Sequence, residues 1–111
     1  MLDDRFEIVE PESLPYGGTH YGLSGYRALM KQITTLFELA FEPPRLYALD
    51  ETTVVVRINV TFIARSTGRS LKLRVVEVLE VVRGRVRRSE VFLADTAVLL
   101  ATLANHPAAS I

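Results

Sequence analysis

The sequence predicts a single α+β domain in which a strongly twisted antiparallel sheet curls around one amphipathic helix and leaves an apolar pocket. Three observations carry this. Three long β-branched segments joined by short turns fill the second half of the chain. One segment of helical period follows an isolated first strand, and strands of ten or more residues coil too much to stay flat.

Arg5 to Glu10 alternates, with Phe6, Ile8 and Glu10 on one side, and Pro11 ends it. Pro11 to Gly22 is dense in turn residues and reads as a long ordered loop. From Tyr26 the period becomes helical: Tyr26, Leu29, Met30, Ile33, Phe37 and Ala40 share a face, Ser24 stands near the start as a cap, and Pro43 with Pro44 ends the helix. An extended segment runs on through Leu49.

Thr52 to Arg65 is the first long strand, with Val54, Val56, Ile58, Val60, Phe62 and Ala64 on one apolar face. Leu71 to Val82 and Val86 to Ala94 follow, turned at Thr67–Gly68 and Arg83–Gly84. Asp95 to Leu103 reads as a short terminal helix closed by Asn105 and Pro107. Neighbours joined by short turns should pair antiparallel. No repeat or linker divides the chain, so residues 1–111 are expected to form one unit.

Composition narrows the function classes. Hydrophobic residues make up 49% of the 111 residues and charged residues 23%, as in a packed globular domain. Thirteen basic and thirteen acidic residues cancel, so no net field draws the protein to nucleic acid or an anionic membrane. No cysteine is present, which excludes disulfides, thiolate metal sites and a cysteine nucleophile. The start lacks the pattern of a signal peptide and no apolar run reaches membrane-spanning length, so a cytoplasmic protein is expected. Eight basic residues lie between Arg65 and Arg88, many of them beside turns. They read as a charged edge that blocks stray strand pairing, and without interleaved aromatics they make a poor nucleic-acid surface. No phosphate-binding, dinucleotide or metal-spaced motif appears, and neither cofactor nor metal is expected.

The candidate chemistry lies in acids placed on apolar rows. The inward row Leu71, Leu73, Val75, Leu79, Val81 is interrupted by Glu77, and Glu10 repeats the pattern in line with Phe6 and Ile8. A carboxylate among apolar neighbours is desolvated, and its pKa tends to rise unless it is paired. Glu77 could therefore pair with Arg57 or Arg88, turn out at a bulge, or serve as an acid or base in a pocket. Asp95 stands where strand becomes helix, either as a helix cap or as a catalytic acid at a cavity mouth. Tyr16 and His20 in the loop could reach the pocket or simply pack there. With Tyr26, Met30 and Phe62 on the core faces, they are the candidate ligand contacts.

The element order, together with SLPYGGTHYG (Ser13 to Gly22), STGRSLKLRVVEVLEVVRGRV (Ser66 to Val86) and VFLADTAVLLATL (Val91 to Leu103), resembles the SnoaL-like branch of the nuclear transport factor 2-like superfamily over about residues 3 to 104. The resemblance implies a cone-shaped fold whose hollow is lined by the concave sheet face, in a group that includes polyketide cyclases, ketosteroid isomerase and noncatalytic binding proteins. It further implies a cofactor-free proton transfer next to a carbonyl on a small apolar molecule, or a noncatalytic ligand-binding or dimerisation module. By position Glu10 before Pro11 resembles the isomerase's general base, Glu77 its second acid, and Asp95 the acid/base of the cyclases. Family members usually begin with one or two helices that this sequence lacks, and the isomerase's oxyanion-hole tyrosine sits there, which leaves Tyr16 as its candidate substitute. The uncovered sheet that results implies a homodimer through the outer sheet face.

Overall fold

The computed structural model describes residues 1–104. Asn105, His106 and Pro107 lie outside the described residues. The chain runs through strands β1 (Leu2–Glu10) and β2 (Gly18–Tyr21), helix α1 (Gly22–Leu36), strands β3 (Phe37–Phe41), β4 (Arg45–Ala48), β5 (Thr53–Ala64), β6 (Ser70–Val82) and β7 (Arg85–Leu93), and helix α2 (Thr96–Ala101). The sheet order is β2-β1-β7-β6-β5-β3, with β4 also on β5, and the sheet is curved but not closed.

The long strands form as their alternation predicts, because each has an apolar side to bury and short turns fix the register. Val56 faces Glu77 across β5 and β6, and Glu77 faces Val91 across β6 and β7, so the inward rows coincide. The sheet is mixed rather than wholly antiparallel, since β1 lies parallel to β7. A crossover through α1 and five further strands separates those two in sequence, so no hairpin constrains their direction.

The helix differs from its expected span at both ends. Its N-cap is Tyr21 with no side-chain bond, and Gly22, at φ +67°, makes the bend from strand to helix where a Cβ would be strained. At the far end α1 stops at Leu36, and Phe37–Phe41, read as helix up to Ala40, pairs instead with Val60–Ala64 of β5. Phe37 is buried in the strand form. The strand form also supplies partners to the backbone of an otherwise open β5 edge, which local periodicity does not register. Pro43 and Pro44 lack amide donors and interrupt that edge before β4 resumes it.

Two arginines of the β5–β6 turn region hold the helices down. Arg65 Nε donates to the Thr34 carbonyl at 2.8 Å, in the last turn of α1, and Arg69 Nη1 donates to the Ala101 carbonyl of α2 at 3.1 Å. Cations suit helix C-termini, where carbonyls are unpaired and the dipole is negative. The core between α1 and the sheet centres on Leu29, Phe37, Ala64 and Leu99, all at most 1% exposed. Edge-to-face pairs Phe6–Tyr26 and Phe37–Phe62 tie the helix end to β1 and β3 to β5.

The loop after β1 is compact. Leu14 N–H donates to the Pro11 carbonyl and Gly17 N–H to the Leu14 carbonyl, which folds Leu14 and Tyr16 inward. Gly17 is required by space: a Cβ there would meet the Pro11 carbonyl oxygen and stand 2.7 Å from that of Glu12. Both are backbone atoms and cannot swing aside. Gly17→Ala should therefore destabilise the fold by about 1–3 kcal/mol in urea unfolding, and an unchanged midpoint would show that the loop relaxes freely.

Candidate functional site

A cavity of about 300 Å³ lies between α1 and the concave face of the sheet. Helix α1 supplies Tyr26, Met30 and Ile33, and β5 supplies Val56, Ile58, Val60 and Phe62. Leu39, Phe41 and Pro44 complete the wall nearest β3, and Phe41 is 62% exposed, which places it at the rim. The volume is at the small end of ligand pockets, which run from roughly 300 to 1,000 Å³.

Into this apolar wall project Glu10, Tyr16 and Glu77. Glu10 ends β1 on the row of Phe6 and Ile8, and Pro11 turns the chain away immediately after it. It is 6% exposed, and its side chain has no hydrogen-bond or ion-pair partner among the described residues. Burial, reinforced by the negative charge of Glu77, raises its pKa from 4.5 to about 7. Tyr16 is 3% exposed, and burial with the neighbouring Glu10 charge pushes its phenol above the ordinary value, so it stays a hydrogen-bond donor.

Glu77 is half-buried on β6, and its partner is neither of the arginines considered from sequence. Ser89 Oγ donates to Glu77 Oε1 at 2.8 Å. Arg88 is engaged by Glu7 at 3.0 Å and Glu90 at 3.1 Å, and Arg57 is exposed in register with Val76. Alternation turns both arginines to the convex face, away from Glu77. Ser89 was not singled out from sequence, although a signal exists: Ser89, Val91 and Leu93 form the inward row of β7, so a 2%-exposed serine there stands out as Glu77 does on β6.

The remaining candidates divide. Tyr26, Met30 and Phe62 line the cavity. His20 does not, and its Nε2 bonds the Tyr16 carbonyl at 2.8 Å, which braces the loop from behind. Asp95 is exposed, lies outside the cavity lining, and accepts from Val98 N–H at 3.0 Å as the N-cap of α2. The structure thus brings Glu10 and Glu77 together with Tyr16 and leaves Asp95 apart. Among the described residues no cluster of His, Asp or Glu could hold a metal ion. No described helix is long and apolar enough to cross a membrane.

No protein-family model and no curated protein matches this sequence. Solved structures do. A nuclear transport factor 2-like protein from Burkholderia xenovorans, 26% identical, superimposes with a TM-score of 0.79 over 91% of this chain and 77% of its own. TerC, co-crystallised with polyporic acid, is 22% identical with a TM-score of 0.81 over 92% and 79%. A protein from Jannaschia assigned as a SnoaL-like polyketide cyclase is 17% identical with a TM-score of 0.72 over 95% and 75%. By these superpositions and its curved α+β sheet this chain has the nuclear transport factor 2-like fold, in common with SnoaL-like proteins.

Proposed function

We propose that the chain binds a small apolar, carbonyl-containing molecule in this cavity and moves a proton at the carbon next to the carbonyl, without a cofactor. The observation that carries the reading is Glu10, a carboxylate 6% exposed, unpartnered among the described residues and facing the cavity. A general base works best with a pKa near the operating pH, and about 7 meets that condition. Glu10 accepts the proton and returns it to the carbon skeleton, the Tyr16 hydroxyl donates a hydrogen bond to the oxygen that gains charge, and Glu77, held by Ser89, lines the same wall. TerC, of the same fold, was co-crystallised with a small molecule, which supports the ligand-binding half of the reading. The other reading, a noncatalytic module, is favoured by an ion-paired Glu77 with no cavity beside it, and here Glu77 is bonded to Ser89 and lines a cavity.

The reading also includes a homodimer through the convex face. Register places Tyr47, Val55 and Val78 in one outward row and Val76 with Phe92 in the next, and Phe92 is 47% exposed. An apolar patch of this kind is usually covered by a partner.

Three expectations follow from this site. In deuterated buffer with a panel of apolar ketones, the protein should exchange protons next to the carbonyl, and Glu10→Gln should slow this by at least about 10²-fold; equal rates would remove the enzymatic reading. Stability should depend on pH through Glu10. Its folded pKa is above its unfolded value, so the folded state binds the extra proton between pH 4.5 and about 7. The corresponding stability is complete below that window and falls by about 3 kcal/mol as pH rises through it, a slope that Glu10→Gln should abolish in urea titrations. Light scattering at micromolar concentration should give twice the chain mass, and Phe92→Asp should halve it; a monomeric wild type would contradict the dimer.

A further inference from the structure

Among the described residues every charged side chain in the cavity wall is acidic. Glu10 comes from β1 and Glu77 from β6, while the wall from α1 is Tyr26, Met30 and Ile33 and that from β5 is wholly apolar. Tyr16, from the loop, and Ser89, from β7, are neutral donors. Basic groups on the neighbouring strands and loop face elsewhere. Arg88 is bound to Glu7 and Glu90, Arg57 is exposed in the outward row, and His20 is turned to the Tyr16 carbonyl outside the lining. Glu10, a residue 6% exposed and without a side-chain partner among the described residues, lines the space a ligand would fill.

An anion entering such a hollow would lose its hydration and meet two carboxylates with no cation among the described lining residues to offset them. A cation would find its counter-charge already in place, in surroundings where Coulomb interactions are several-fold stronger than in water. We infer that the cavity is a cation-selective ligand site, which takes an apolar molecule carrying a protonated amine and turns away a carboxylate of the same size. This rests on the reading of the hollow as a ligand site and not on whether a proton is transferred there. Glu10 and Glu77 are the specificity-determining residues, and the apolar wall sets the rest of the fit. The raised pKa of Glu10 adds a pH dependence, since Glu10 becomes mostly negative only as pH rises past about 7.

The test uses three probes of one shape, 1-naphthylmethylamine, 1-naphthylmethanol and 1-naphthoate, titrated into the whole protein by calorimetry. At pH 8 the amine should bind at least about tenfold tighter than the alcohol, and the carboxylate more weakly than either. At pH 5.5 the amine's advantage should shrink while the alcohol is unchanged. Glu10→Gln and Glu77→Gln at pH 8 locate the effect at these two side chains: each should reduce the amine's advantage and leave alcohol binding in place. A carboxylate that binds as tightly as the amine, or an amine preference untouched by both substitutions, overturns charge selection while leaving the ligand site standing. If none of the three binds, the ligand-site reading itself fails, and this inference with it.

Discussion

A helix of 15 residues is about 22 Å long, whereas strands of 12 and 13 residues extend about 40 Å. Helix α1 therefore covers only part of the concave face it packs against. Where it lies, the sheet is sealed: Val60, Phe62 and Ala64 of β5 are buried. Beyond it, Val54, Val56 and Ile58 remain half-buried. The cavity occupies this change of cover, between the underside of α1 and the curved sheet. It follows from a mismatch in element lengths, and Glu10, Tyr16 and Glu77 all line it.

The sheet also sorts charge. Successive side chains point to opposite faces, and the β5–β6–β7 register keeps the rows aligned across strands. Arg57 and Arg88 are on the convex side with their partners or in solvent, while Glu77 and Ser89 are on the concave side. One strand thickness thus separates the acids of the hollow from the bases that could neutralise them. Glu10 reaches the same hollow from β1, whose parallel pairing sets Val9 against Glu90 and so carries Glu10 level with Val91 and Glu77.

Much of this was legible in particular residues. The inward row of β6 exposed Glu77 as an anomaly, and the alternation of Phe6 and Ile8 did the same for Glu10. Tyr26, Met30 and Phe62 followed from their faces. Other features depended on partners distant in sequence. The short strands β2 and β3 take their form from pairing with β1 and β5, and Phe37–Phe41 carries a helical spacing that edge pairing overrides. Asp95 satisfied two local patterns at once, and only its distance from the hollow separates the cap from the acid. Arg65 and Arg69, which read as a charged edge, bond to helix carbonyls that no local signal placed near them.

By itself the sequence determined which segments alternate, which one winds as a helix, where glycine and proline turn the chain, and which acids share a face with apolar residues. These are local properties, set by backbone sterics and by side-chain period. Tertiary structure decided that β1 runs parallel to β7, that Ser89 rather than an arginine meets Glu77, and that Tyr16 points into the hollow while His20 and Asp95 do not. Those outcomes depend on the curvature of the sheet and on how far one helix reaches across it, quantities that arise only when the elements compete for the same buried space.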